Sequence, residues 1–265
     1  MYNFEYVKPR TLAEGTKILA DDIEAKALAG GQTLVPVLKQ RLNKPSVVVD
    51  LAGLNLAGIK RVGDNIEIGA LTTHAEVAAS LEVKQAFPAL ADLAGNIGDR
   101  QVRYRGTIGG SLANNDPSAC YPAPVLALDA VIRTDRREIP AAEFFQHLFT
   151  TALEPGEIIT AVIFSPPQRA AYVKFVNPAS RYAMVGVFVA KTASGARVSV
   201  TGAGQNGVFR HTAMEQALDK SFTPEALEGV ATDEDMMNAD IHGSAVYRAH
   251  LVGVIARRAV KAVLA

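Results

Sequence analysis

Through the first 165 or so positions, apolar residues fall in short runs that alternate between strand-like and helix-like spacing. Phe4 to Val7 reads as a strand. Thr11-Leu-Ala-Glu14 carries a capping signature that opens a helix to about Ala20. Lys26 to Ala29 is a short apolar strand, Leu34 to Leu42 has helical spacing, and Val47 to Asp50 is a further strand. This opening predicts a β-α-β-α-β unit with a glycine loop at the end of its second strand. A hairpin follows, Ile59 to Val62 against Asn65 to Ala70 about Gly63-Asp64. Helices are predicted over 73–80, 89–97 with Pro88 at the start, 124–129 and 142–149, and strands over 130–133 and 157–164. After Ser165-Pro-Pro167 the period changes. Strands at 172–176, 183–191 and 198–202 read as an antiparallel sheet, with a turn at Ser194-Gly195. Helices over 211–219, 224–230 and 244–264 follow, the last apolar along one face. The expectation is an α+β chain with a boundary at the proline pair, giving 1–167, subdivided into about 1–55 and 56–167, and 168–265.

Two stretches break the apolar pattern in the same way. Ala29-Gly-Gly-Gln-Thr33-Leu-Val-Pro36 and Thr107-Ile-Gly-Gly-Ser111 each place a glycine pair and a hydroxyl residue at the start of a helix-like run. Glycine pairs let a ligand lie directly on backbone amides, and successive amides can form an anion-binding nest. Two such loops could hold the two ends of one phosphorylated ligand. Neither fits the spacing of a Rossmann dinucleotide loop or a P-loop.

Composition narrows the classes. The 27 Lys and Arg balance the 27 Asp and Glu, which argues against nucleic acid or an anionic membrane as main partner. There is no apolar run long enough for a membrane span and no secretory pattern after Met1, so a cytoplasmic protein is expected. Cys120 is the only cysteine, which excludes a cysteine-ligated iron–sulfur cluster or a structural zinc within this chain. The five histidines, His74 among them, lack metal-binding spacing and read as ordinary.

The glycine stretches, together with Ile68-Gly-Ala-Leu-Thr-Thr73, Gln101-Val-Arg-Tyr-Arg-Gly-Thr107 and Thr151-Ala-Leu-Glu-Pro-Gly-Glu157, resemble the medium flavoprotein subunit of the molybdenum hydroxylases, of the aerobic carbon monoxide dehydrogenase type. The resemblance covers essentially the whole chain. It implies a two-part FAD-binding domain of the vanillyl-alcohol-oxidase (PCMH) type, followed by a small C-terminal domain of antiparallel sheet and helices.

By that resemblance Ala29, Gly30, Gly31, Gln32, Thr33, Leu34 and Pro36, with Thr107, Ile108, Gly109, Gly110 and Ser111, would wrap the FAD diphosphate and ribityl. Ile97 and Tyr182 would lie against the flavin ring, with Ile159 near the adenine end or flavin edge. Many relatives carry an acidic residue where Cys120 stands. Because a thiol accepts hydrogen bonds poorly, ribityl binding would shift to Asp116, Asn114 or water. Gln32 stands where flavin-tethering oxidases have histidine, so the FAD should be non-covalent. No residue of this chain is expected to be catalytic, and no metal is expected.

The implied function is electron transfer within a heterotrimer. A molybdopterin-containing large subunit would oxidise carbon monoxide, an aldehyde or an N-heterocycle, and electrons would cross a two-iron two-sulfur small subunit to FAD and on to a quinone or oxygen. Two other readings stand beside it: a self-contained FAD oxidoreductase and a flavin-free scaffold subunit.

Overall fold

The computed structural model describes residues 1–265. The first 53 residues form β1 (Glu5–Val7), α1 (Leu12–Asp21), β2 (Lys26–Leu28), α2 (Leu34–Lys39) and β3 (Val47–Asp50). The three strands make a parallel sheet in the order β1-β3-β2. Thr11 caps α1 as predicted, its Oγ1 accepting the Glu14 N–H at 3.2 Å.

A second sheet has the order β4-β5-β10-β6-β7, from β4 (Ile59–Val62), β5 (Asn65–Gly69), β6 (Val131–Thr134), β7 (Glu138–Pro140) and β10 (Ile159–Phe164). Its hairpin pairs Val62 with Asn65 across the expected turn. Between β5 and β6 the chain makes six helices, several shorter or differently placed than the periodicity predicts. They are α3 (His74–Ala79), α4 (Leu81–Ala86), α5 (Pro88–Gly95), α6 (Arg100–Arg105), α7 (Ile108–Asn114) and α8 (Pro122–Ala127). Helix α5 ends at Gly95, so Ile97 lies beyond it rather than closing its apolar face. The arginines at 100, 103 and 105 sit on a helix of their own, started by Asp99, whose Oδ1 accepts the Val102 N–H. The predicted 142–149 helix is only α9 (Ala141–Phe144). The chain then turns into the hairpin β8 (Phe145–His147) and β9 (Thr150–Thr151). Phe149 takes φ 55°, a left-handed conformation that no continuous helix tolerates.

The last third is an antiparallel sheet β11 (Arg169–Val176), β12 (Ala183–Thr192), β13 (Gly195–Thr201) and β14 (Phe209–Arg210), with α10 (Thr212–Lys220) and α11 (Ala245–Leu264) packed on it. Every residue of β12 from Ala183 to Ala190 is buried. Val185, Val187 and Val189 join the core under α11, whereas Phe188 and Ala190 point the other way into the core beneath α5 and α8. Phe188 meets Phe87 edge-on at 6.1 Å between ring centroids, and Phe87 in turn meets Phe164 at 5.8 Å. Covered on both faces, β12 has a continuous apolar run instead of an alternating one. No helix is long and apolar enough to cross a membrane.

Glu157, at the entry to β10, anchors the second sheet to the loops beside it. Its buried carboxylate accepts from Arg137 Nε and Nη2, Thr134 Oγ1 and the Glu154 N–H. The Arg137 hydrogen bonds hold its carboxyl well below the ordinary 4.5, at about 2. A depressed folded-state value means stability that is complete above the ordinary value and lost as pH falls through the folded one. Glu157→Gln should therefore lower unfolding stability by about 2 kcal/mol at neutral pH. The gap from the parent protein should close as pH drops from about 4.5 towards about 2, followed by denaturant titration.

Candidate functional site

The two glycine loops are brought together by contacts that only glycine permits. A Cβ on Gly30 would lie 2.1 Å from the Arg105 carbonyl oxygen and 2.7 Å from the Gly106 Cα, so the loop after β2 rests on the end of α6. A Cβ on Gly109 would fall 2.6 Å from the Ala70 Cβ and 2.7 Å from its oxygen, which shows α7 pressed against the end of β5. Gly109 thus faces protein. Of the two glycine pairs, only Gly31 uses a left-handed conformation, with φ 73°.

Behind these contacts opens a cavity of about 530 Å³, within the range of small-molecule and cofactor sites. It is lined by Ala29 to Leu34, Thr107, Gly109, Gly110, Ser111, Asp116, Cys120, Ile97, Ile159 and Tyr182. Of the predicted positions only Pro36 and Ile108 stay outside it. Pro36 is on the exposed side of α2, and Ile108 is fully buried in the core.

The two loops differ in what they offer a ligand. From Gly30 to Leu34 no backbone N–H has an acceptor in the protein, and Thr33, at the head of α2, makes no side-chain cap bond. This is a run of free donors around one left-handed residue, the arrangement that binds anions. On the second loop the amides are engaged. Ile108 donates to Thr72 O (3.1 Å), Gly109 to Ala70 O (2.8 Å), Gly110 to Thr107 Oγ1 (3.1 Å) and Ser111 to Thr107 O (3.0 Å). Free amides are found only on the first loop, because the second spends its N–H groups on the chain just after β5 and on Thr107 itself.

One end of the cavity is bordered by residues of the last sheet and the loop after β11. Tyr182 is 47% exposed and ends the loop that follows β11. Asn177 Oδ1 fixes that loop by accepting the Ala179 N–H. Lys174, on β11, donates to the carbonyls of Asn96 (2.9 Å) and Arg181 (3.2 Å) and stands 3.6 Å from Cys120 Sγ. Asp116 both lines the cavity and caps its own turn, Oδ1 accepting the Ser118 N–H at 2.8 Å. Burial raises its carboxyl above the ordinary range, and burial likewise raises the Tyr182 phenol, helped by Asp116 and Cys120. Lys26, Asn43, Leu153, Glu157 and Ile158 line the cavity as well.

Among the lining residues outside the predicted set, two are polar interruptions in apolar sequence. Lys174 sits inside the apolar strand β11, and His74, read from the sequence as ordinary, directly follows the Thr73 cap at a strand-to-helix junction. No group of three or more His, Cys, Asp or Glu is placed to hold a metal.

Residues 2–167 match the family described as the FAD-binding domain in molybdopterin dehydrogenase. The chain is 34% identical to the nicotine 6-hydroxylase medium subunit of Paenarthrobacter nicotinovorans, covering 96% of this chain and 95% of that one. It is 32% identical to the carbon monoxide dehydrogenase medium chain of Afipia carboxidovorans, covering 98% and 96%. The crystal structure of Cu,Mo-CO dehydrogenase in its cyanide-inactivated form superposes with TM-score 0.91 at 30% identity, over 99% of this chain and 98% of the other.

Gly31→Ala should cost about 1–2 kcal/mol, the penalty of a side chain in a left-handed conformation. Its Cβ would also press on Val35 Cγ2 at 3.0 Å and Leu28 Cδ1 at 3.1 Å. Thermal unfolding should show the loss, and anion affinity at the first loop should fall with it.

Proposed function

This chain belongs to the FAD-binding family of the molybdopterin dehydrogenases, as a medium subunit of the carbon monoxide dehydrogenase type, and from that premise we propose that it holds one dissociable FAD in the cavity between its glycine loops and relays electrons between partner subunits and an external acceptor. The observation that carries the reading is the run of unpartnered amides from Gly30 to Leu34, facing a wall where Gly109 and Gly110 hold α7 close. A dinucleotide diphosphate needs close donors and little steric bulk, and the first loop supplies both.

In this reading the diphosphate lies where the loops meet. The isoalloxazine takes the end formed by Ile97, Cys120, Lys174 and Tyr182, and the adenine takes the end beyond Ile159. The partly exposed Tyr182 leaves the ring end open to a partner, whereas the adenine end is walled by the Glu157 network. Cys120 contributes little hydrogen bonding, so Asp116 and Asn114 serve the ribityl hydroxyls. When bound, FAD supplies the redox chemistry; the chain's own residues bind it, orient it and exclude water. Residues 1–167 form the FAD-binding domain, and 168–265 the small domain that borders its ring end.

A molybdopterin-containing large subunit and a two-iron two-sulfur small subunit complete the enzyme, with a quinone or oxygen as acceptor. A chain with one cysteine cannot ligate a cluster itself. The substrate is chosen elsewhere: relatives at 34% and 32% identity belong to a nicotine hydroxylase and a carbon monoxide dehydrogenase.

Three measurements test the reading. Purified protein should show an oxidised-flavin spectrum that acid releases without proteolysis; a colourless protein that takes up no FAD when recombined with its partners overturns it. Gly110→Val should empty the site, since its Cβ would crowd Thr107 Oγ1 at 2.9 Å and the branched methyls beyond it, starting 3.5 Å from the Ala29 Cβ, would press on the first loop. Substrate oxidation should appear only with all three subunits present. Turnover of carbon monoxide, an aldehyde or an N-heterocycle by this chain alone would replace electron relay with a self-contained oxidoreductase.

A further inference from the structure

The asymmetry of the two loops leaves one half of the proposed diphosphate short of donors. The first loop offers free amides, but from Ile108 to Ser111 every N–H is already bonded inside the protein. Donors on that side must come from side chains. Thr107 Oγ1 accepts the Gly110 N–H and keeps its own proton to give. Ser111 adds a second hydroxyl on that wall, and the one ring donor there is His74.

His74 is the first residue of α3, and its backbone N–H donates to Gly106 O at 2.9 Å, which pins it directly beneath the second loop. The residue is 5% exposed, yet it lines the cavity. Its Nδ1 is buried with no hydrogen-bond partner, the ring resting on Tyr121 with centroids 5.3 Å apart. The Nε2 edge faces Gly106, itself a lining residue; a Cβ there would fall 2.6 Å from Nε2, so glycine at 106 leaves that edge free. Burial, and then the nearby charge of Arg103, pulls the imidazole down to about 4, so it is neutral at physiological pH. A neutral imidazole has one N–H and one lone pair. Sealing an N–H away without an acceptor costs more than sealing away a lone pair, so the favoured tautomer has a bare Nδ1 and an Nε2–H on the cavity side.

We propose that His74 is a cofactor-binding residue of this chain, donating its Nε2–H to a diphosphate oxygen of the dinucleotide on the side where the α7 amides are already spent. The inference rests on the FAD reading above and deepens it. His74 supplies a neutral, oriented donor, and the first loop supplies the free amides opposite.

The test compares the full-length apoprotein with His74→Phe, which fills the space but cannot donate, and His74→Gln, which restores an N–H. Affinity is measured for FAD and for ADP-ribose, which carries the diphosphate but no flavin. His74→Phe should weaken both ligands about tenfold, the scale of one hydrogen bond to a charged group, and His74→Gln should recover most of that. Unchanged FAD affinity in His74→Phe overturns the proposal, as does a loss confined to FAD or an equal loss in both variants. Failure of the parent protein to bind FAD would instead defeat the underlying reading. Should His74→Phe not fold, as judged by circular dichroism, histidine ¹⁵N resonances of the parent protein decide. The His74 Nε2–H should shift and become protected from exchange when ADP-ribose is added, and an unmoved resonance overturns the assignment.

Discussion

The molecule depends on backbone meeting backbone without a side chain between. Gly30 on the Arg105 carbonyl and Gly109 on Ala70 bring the β2–α2 loop, the end of α6 and the start of α7 to one place. Each contact joins segments far apart in sequence, so the first sheet, the second sheet and the intervening helices are set relative to one another by the absence of two Cβ atoms. The cavity is what remains between them. Enlarging either residue would not merely fill the site; it would separate the elements that form it.

The same docking decides which groups are left for a ligand. Helix α7 spends its leading amides on the chain just after β5 and on its own Thr107 cap, and becomes a rigid wall. The first loop docks through a Cα rather than through its N–H groups, and so keeps them. Two motifs alike in sequence therefore serve different ends, one architectural and one donor-rich, and polar side chains such as His74 matter most where the amides are consumed.

The last sheet closes the structure through β12. Its two buried faces share residues with both major cores, and Phe87 carries the contact from Phe188 to Phe164. Lys174 extends that junction to the cavity rim by holding the Asn96 and Arg181 carbonyls together, so the Tyr182 loop is tied to the helices it faces. That end of the cavity is thus built by residues nearly 80 positions apart.

Much of this was legible in the chain itself. Period-two and period-3.6 spacing gave the strands and helices of the first unit, the hairpin at Gly63-Asp64 and the sheet after Pro167, because each buries one face and local sequence records which. The paired glycine motifs marked the cavity because close backbone approach needs a residue without a Cβ. What tertiary structure decided were quantities set by partners distant in sequence. Among them are the break of the 142–149 helix into a hairpin, the isolation of Ile97 beyond α5, and the inward face of Gly109 against Ala70. The burial of His74 under Gly106 and the unequal hydrogen bonding of two look-alike loops belong there too. An amide's availability depends on whether a carbonyl from another segment reaches it, and no spacing within the loop can encode that.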